Sequence, residues 1–98
     1  MPDLSLLQGL ELRVYSAEWC GDCRRLARWL AENSVAHAVV DIEHEEGASE
    51  MLERETGKRS IPFILVNGRR WVRGFHPELP GRFDAELFVR ELVEAGRA

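Results

Sequence analysis

The stretch Trp19-Cys20-Gly21-Asp22-Cys23 decides the fold and the chemistry expected of this 98-residue chain, because it contains both of the chain's cysteines. It follows a short apolar run at residues 12–15 and precedes a segment with helical periodicity. Two cysteines separated by two residues at such a junction are typical of a redox pair. We expect Cys20 to be an attacking thiolate, stabilised by the unpaired amides and the dipole of a helix N-terminus, and Cys23 to be the resolving thiol one turn on.

Composition and charge limit the classes of protein to which the chain can belong. It is 45% hydrophobic and 31% charged, which is ordinary for one globular domain covering residues 1–98, with residues 1–10 as a short N-terminal lead-in. The net charge of −4 disfavours nucleic acid as a partner, and no apolar run approaches the roughly 20 residues of a membrane span. The first residues lack the pattern of an export signal, so we expect a cytoplasmic protein. In the cytoplasm a close cysteine pair favours catalysis or metal binding over a structural disulfide.

Periodicity outward from the cysteine stretch predicts the element order β-α-β-α-β-β-α. Asn67-Gly68 predicts a tight hairpin between the last two strands, and a right-handed crossover makes the first two strands parallel. The predicted architecture is an α/β fold of thioredoxin type, with a four-stranded mixed sheet and helices on both faces. The predicted strands cover residues 12–15, 36–42, 61–66 and 70–73, and the predicted helices cover residues 21–33, 47–56 and 84–95.

Individual residues support these elements. The second strand is apolar enough to predict burial within a parallel pair. Gly57 is expected to end the second helix, and Asp84 to cap the third, with Phe83 and Phe88 at the hydrophobic-staple positions. The first helix is predicted to bury one stripe of side chains spaced at i, i+3, i+4 and i+7, which comprises Cys23, Leu26, Ala27 and Leu30.

Three segments together resemble the glutaredoxin-like redoxins of the thioredoxin-fold superfamily. They are the cysteine stretch after the first strand, Ser60-Ile61-Pro62 before the third and Gly74-Phe75-His76-Pro77 after the fourth. The likeness covers about residues 11–95, and the last segment is most similar to the Gly-Phe-x-Pro of NrdH-type redoxins and mycoredoxins. The resemblance implies a thiol–disulfide oxidoreductase whose Cys20 and Cys23 alternate between dithiol and disulfide.

The resemblance also implies a set of substrate-binding residues around the cysteine pair. It implies a cis bond between Ile61 and Pro62, which would present the Ile61 backbone to an extended substrate segment. Gly21 and Gly74 would allow close approach, of a substrate sulfur and of the backbone respectively. Trp19 is expected either to offer a flat surface to partners or to pack at the helix start. Phe75 would contact the substrate or fix its own loop.

The resemblance leaves the source of electrons open. Glutaredoxins commonly have a basic residue three positions before the first cysteine, where this chain has Ala17, and an Asp pair where it has Phe75-His76-Pro77. Only Arg59 matches a common contact of the glutathione carboxylate. We therefore expect electrons from a thioredoxin reductase or from a low-molecular-weight thiol, a disulfide-containing protein as substrate, no other bound cofactor and a monomeric protein.

Several alternatives stay open at this point. The pair could be two buried structural cysteines, or metal ligands, although a structural zinc site needs four ligands. An iron–sulfur cluster shared between two chains would make the protein a binding module, and a pure adaptor is a third class. Within the redox class, the resolving role of Cys23 belongs to a dithiol mechanism, whereas a monothiol mechanism needs only Cys20.

Charged residues near the pair give three further expectations. Asp22 opposes a thiolate beside it, and Arg24 and Arg25 are expected to offset its charge. Asp41 is a weak candidate for a buried proton acceptor of Cys23. His76 is expected to be exposed in a turn and is not expected to act as a base.

Overall fold

The computed structural model describes residues 2–97; Met1 and Ala98, which the predicted domain includes, lie outside the described residues. The elements are a 3-10 turn (Leu4–Leu7), β1 (Leu12–Ser16), α1 (Gly21–Glu32), β2 (Ala38–Asp41), α2 (Ala48–Thr56), β3 (Phe63–Val66), β4 (Arg70–Arg73), a second 3-10 turn (Pro80–Arg82) and α3 (Ala85–Gly96). No helix among these residues combines the length and the apolar character needed to cross a membrane.

The four strands form one mixed sheet in the order β2-β1-β3-β4. β1 and β2 run parallel, whereas β3 is antiparallel to both β1 and β4. In the centre of the sheet Val14 lies opposite Ile64, which in turn lies opposite Val72. The predicted topology is therefore confirmed, and it brings the start of α1 next to the start of β3.

Alternating side chains of the strands face two separate helical layers. Val14, Ile64 and Val72 pack on one face in a core completed by α1 and α3, with Leu26 and Phe88 fully buried in it. The neighbouring strand residues Tyr15 and Leu65 face the opposite way and pack against α2. Because side chains alternate along a strand, each central strand serves both cores. Helices on both faces of the sheet are thus confirmed.

The predicted helix caps are observed, whereas β2 and β3 each begin two residues later than predicted. The Asp84 carboxylate accepts a hydrogen bond from the Leu87 N–H at 3.0 Å, and the rings of Phe83 and Phe88 lie 5.4 Å apart between centroids. Gly57 follows α2 with a left-handed backbone, φ 79°. Asn67 and Gly68 both have positive φ angles, and the Arg69 N–H donates to the Val66 carbonyl at 3.0 Å. Because Val66 pairs with Arg70, the loop has three residues rather than the two that Asn-Gly typically forms.

Two predictions about burial are wrong. Ala27 is exposed, so the buried stripe of α1 is narrower than predicted and comprises Cys23, Leu26 and Leu30. β2 is parallel to β1 as predicted, but it is an edge strand, and Val39 is 61% exposed. The apolar run at residues 36–42 suggested cover on both faces, whereas α2 covers one face only.

Gly74 fixes the distance between the loop after β4 and the cores. A methyl group at this position would lie 2.6 Å from Leu26 Cδ2 and 3.0 Å from both Ile64 Cδ1 and Pro62 Cγ. These separations are too short for carbon atoms, which prefer about 3.5–4.0 Å. The close approach predicted for Gly74 is therefore observed.

We predict that Gly74→Ala lowers the free energy of unfolding by about 1–3 kcal/mol, because the added methyl group overpacks a closed core. Gly21→Ala is the matched control, since a methyl group there has no neighbour closer than Arg24 Nη2 at 4.0 Å. Urea denaturation of both variants measures the difference. Equal stability of Gly74→Ala and the unsubstituted protein would contradict the packing described.

Candidate active site

The two cysteines lie at the N-terminus of α1 and are both free thiols. Cys20 is the N-cap residue, and its Sγ accepts a hydrogen bond from the Cys23 N–H at 3.2 Å. The first amides of a helix have no partner within the helix, so the sulfur takes the place that a Ser or Asp oxygen usually fills. On its other side the Cys20 Sγ lies 3.8 Å from the Ile61 carbonyl oxygen, to which the thiol can donate.

Electrostatics separates the two thiols more clearly than exposure does. Cys20 is 8% exposed and Cys23 5%, so both thiols are buried and their exposure hardly differs. Burial, followed by a hydrogen bond with the Cys20 side chain, raises the pKa of Cys23 to about 12. A thiol with so high a pKa is a poor nucleophile near neutral pH, which leaves Cys20 as the candidate for the nucleophilic role.

Asp22 is neutralised by a residue that sequence analysis missed. Its carboxylate accepts from Arg82 Nη2 at 2.8 Å and from Arg82 Nε at 3.1 and 3.2 Å, and Arg25 Nη2 lies 3.3 Å away. These cations hold the pKa of Asp22 below its ordinary value, Arg82 most strongly. Arg25 has the expected role, but Arg24 does not, because it donates to the Glu18 carbonyl at 2.7 Å. Arg82 is 60 positions from Asp22, and nothing in the local sequence signals the pairing.

The segment before β3 closes the site as predicted. The Ile61–Pro62 peptide bond is cis, and the Ile61 side chain packs in one cluster with both cysteines, Ala17, Leu52 and Phe63. The Pro62 carbonyl accepts from the Gly74 N–H at 2.9 Å, which joins the loop after β4 to this segment. The fold thus brings together residues from three distant parts of the chain, namely Cys20 and Cys23, Ile61 and Pro62, and Gly74.

The remaining candidate residues lie in contrasting environments. Trp19 is 63% exposed, which favours a surface for partners over packing at the helix start. Phe75 is 8% exposed, with the guanidinium groups of Arg73 and Arg82 at 5.4 and 5.8 Å from its ring. Arg59 is exposed and pairs with Glu53 at 3.1 Å. Gly21 is exposed on the first turn of α1.

The expected exposure of His76 is wrong. It is 3% exposed, and its Nε2 lies 3.0 Å from Glu91 Oε1 on α3. The 3-10 turn at Pro80–Arg82 folds the loop back, so that the His76 N–H donates to the Arg82 carbonyl at 2.8 Å. This contact between the turn and the start of the loop buries His76, although the local sequence predicts that it is exposed.

Asp41 is a poor proton acceptor for Cys23. Both residues line a mainly apolar cleft of about 280 Å³ between α1 and β2. However, the Asp41 carboxylate is bound by His44 at 2.8 Å and by the Glu43 N–H at 2.9 Å. The hydrogen bond from His44 is the main cause that lowers the pKa of Asp41, and a lowered pKa opposes proton uptake.

Few side chains that could bind a metal ion lie around Cys20 and Cys23. Within residues 2–97, no group of three or more His, Cys, Asp and Glu side chains is arranged to hold a metal ion.

Comparison with known sequences gives one family. The model of the glutaredoxin family matches residues 12–71, a span that contains both cysteines and the cis proline. A predicted glutaredoxin of Mycobacterium tuberculosis is 39% identical over 54 residues, which are 54% of this chain and 64% of the relative. A rice (Oryza sativa) chloroplastic glutaredoxin C4 is 32% identical over 59 residues, 57% of this chain and 44% of the relative. The chain therefore spans less than two thirds of the length of these relatives.

Comparison with solved structures supports the fold. A glutaredoxin from Archaeoglobus fulgidus superposes with a TM-score of 0.62 over 95% of this chain and 96% of its own, at 23% identity. A buckwheat glutaredoxin, solved in complex with glutathione, gives a TM-score of 0.54 at 22% identity, over 67% of this chain and 63% of its own. At these identities the likeness establishes the architecture alone.

The difference between the two thiols leads to a testable expectation about alkylation. At pH 8, Cys23→Ser, which retains Cys20, should react with iodoacetamide at least about tenfold faster than Cys20→Ser, because burial keeps the remaining Cys23 protonated. Intact-protein mass spectrometry follows the reaction. Equal rates for the two variants would contradict the assignment of Cys20 as the nucleophile.

Proposed function

The chain belongs to the glutaredoxin family, and on that premise we propose that it is a thiol–disulfide oxidoreductase that reduces protein disulfides or mixed disulfides with low-molecular-weight thiols. The observation that carries this proposal is the difference in environment between the two thiols at the N-terminus of α1. Cys20 receives an amide hydrogen bond that favours a thiolate. Cys23 is kept as a thiol, with its pKa raised to about 12.

The reaction begins when the Cys20 thiolate attacks one sulfur of the substrate disulfide. A Cys20–substrate disulfide forms, the substrate S–S bond breaks, and the second substrate sulfur leaves as a thiolate. Cys23 then attacks the Cys20 sulfur, gives its proton to the departing thiolate and releases the reduced substrate. Two electrons and one proton pass from the cysteine pair to the substrate, the thiolate released in the first step takes its proton from solvent, and a Cys20–Cys23 disulfide remains.

The state of Cys20 controls when Cys23 becomes reactive. In the reduced protein, the hydrogen bond with Cys20 and repulsion from its charge both add to the rise in the pKa of Cys23. A Cys20 sulfur engaged in a mixed disulfide carries no charge and is no longer a thiol partner. The second thiol is therefore easier to deprotonate after the first step than before it, which orders the two steps.

Substrate recognition is proposed to use the surfaces that surround the Cys20 sulfur. Ile61 would pair its backbone with an extended substrate segment, next to Pro62 and Gly74. The exposed ring of Trp19 and the exposed first turn at Gly21 would contact the partner. Phe75 would act mainly by fixing its loop, since it is 8% exposed.

The source of electrons is proposed to be a thioredoxin reductase or a low-molecular-weight thiol. The buckwheat relative was solved with glutathione, but the single matching anchor in this chain, Arg59, pairs with Glu53 at 3.1 Å. Ala17, at the position of a second anchor, is buried and uncharged. We propose a monomer that acts in the cytoplasm, where such reductants keep thiols reduced.

The alternative of a carrier for an iron–sulfur cluster fits the residues less well. Such clusters are held by four thiolates, and one chain supplies two cysteines. The alternative predicts visible absorbance from a dimer purified without oxygen. A dimer with such a spectrum, together with no disulfide reductase activity, would replace the proposed function.

Two cysteine variants test the enzymatic proposal. Cys20→Ser should abolish reduction of every disulfide, because no other nucleophile is available. Cys23→Ser should lose most of its turnover with protein disulfides, since the resolving thiol is missing. Full turnover of Cys23→Ser with a low-molecular-weight mixed disulfide would assign a monothiol mechanism to that substrate, and an active Cys20→Ser would refute the proposal.

The reductant is identified by oxidising the protein and adding back one electron source at a time. We expect rapid recovery of two thiols with thioredoxin reductase and NADPH, or with a low-molecular-weight thiol other than glutathione. With glutathione we expect only slow recovery. The slow reaction with glutathione follows from the missing anchors at Ala17 and Phe75. Counting free thiols over time measures the recovery, and glutathione acting as the fastest reductant would contradict this expectation.

A further inference from the structure

Arg82 connects the loop before α3 to the first turn of α1, where the two cysteines lie. Its guanidinium group binds both oxygens of Asp22 at 2.8 to 3.2 Å. The same group lies 5.8 Å from the ring centroid of Phe75. Asp22 is 21% exposed, so this two-pronged ion pair is partly shielded from solvent. A planar guanidinium that binds both oxygens in a bidentate ion pair fixes the orientation of the carboxylate and offsets its charge.

The backbone at Arg82 is unusual for a residue with a side chain. Gly81 and Arg82 are consecutive left-handed residues, with φ angles of 73° and 59°. Glycine adopts this conformation freely, whereas an arginine there is strained. Strain of this kind persists only where the surrounding structure requires it, and it points to a role for the side chain.

The geometry points to Arg82 as a positioning residue of the cysteine site, which cancels the charge of Asp22 and so allows Cys20 to react as a thiolate. This inference rests on the proposed function and adds a residue to its mechanism. Asp22 is the acidic residue in the first turn of α1, two positions after Cys20. An uncompensated carboxylate there would repel a thiolate and cancel part of the benefit of the helix amides.

The other charged groups around the first turn of α1 do not replace Arg82. Arg25 contacts Asp22 through one nitrogen at 3.3 Å and shares that nitrogen with the Gly74 carbonyl, also at 3.3 Å. Arg24 is directed to the Glu18 carbonyl, and Arg59 pairs with Glu53. The hydrogen bond with Asp22 is the main cause that raises the pKa of Arg82, and the charge of Cys20 is the smallest of the causes.

Three variants, two at Arg82 and one at Asp22, distinguish the effect of the Arg82 side chain from that of its backbone conformation. Arg82→Gly removes the guanidinium and relieves the left-handed backbone, so the protein should unfold no more easily than the unsubstituted one. Arg82→Lys keeps the charge but loses the two-pronged contact. Asp22→Asn removes the charge that Arg82 is inferred to cancel. Arg90→Ala, on the exposed side of α3, serves as a matched control for losing one arginine.

The readout is the rate at which iodoacetamide alkylates Cys20 between pH 5 and pH 9, which requires no substrate turnover. In Arg82→Gly we expect the rate near pH 6 to fall about three- to tenfold and its pH profile to move upward. Arg82→Lys should lie between Arg82→Gly and the unsubstituted protein, and Arg90→Ala should match the latter. In the Asp22→Asn background, Arg82→Gly should produce little further change.

Two results would overturn the inference. One is an unchanged pH profile in Arg82→Gly. The other is an equal slowing by Arg82→Gly with and without Asp22, which would mean that Arg82 acts on the sulfur directly. Failure of the proposed function would look different, because either the protein would reduce no disulfide or Cys20→Ser would still reduce disulfides, while the alkylation profiles of the Arg82 variants stayed as predicted.

Discussion

The structure of the site depends on the unpaired backbone amides that begin α1. Helix geometry leaves the first N–H groups without internal partners, and here the Cys20 sulfur accepts one of them, from Cys23, at 3.2 Å. The same contact fixes the positions of the two sulfurs relative to each other. It also makes the pair unequal, since the N-cap sulfur accepts an amide hydrogen bond whereas the pKa of the sulfur one turn on is raised, first by burial and then by the Cys20 side chain. Chemistry that needs one thiolate and one thiol follows from this difference.

Three remote segments hold this helix start in place and adjust its charge. The cis Ile61–Pro62 segment places a carbonyl beside the Cys20 sulfur. Gly74 lets the loop after β4 approach to within a hydrogen bond of Pro62. The turn at Pro80–Arg82 then returns to α1 and offsets the charge of Asp22. The inferred role of this third segment is to offset, together with Arg25, a negative side chain next to the reactive sulfur.

Sequence analysis predicted the elements whose signals are local. Asn67-Gly68, Gly57 and the Asp84 cap each act within a few residues, and the mixed sheet followed from the order of the elements. The pairing of Asp22 with Arg82 could not be predicted, because it joins positions 60 residues apart. The burial of His76 was missed for the same reason, since a later turn and α3 enclose it. Whether a strand lies at the edge of a sheet, as β2 does, is also a property of the whole fold rather than of its own residues.

The central claim is that a single sulfur, at the N-cap of α1, is the ionised group of the reduced protein. A titration of thiolate absorbance at 240 nm tests it most directly, with the two single-serine variants assigning each step. The account predicts that Cys23→Ser retains the first ionisation step and that Cys20→Ser loses it, because burial raises the pKa of the remaining Cys23. Two thiols that ionise together, at the pH of an unfolded peptide, would contradict it.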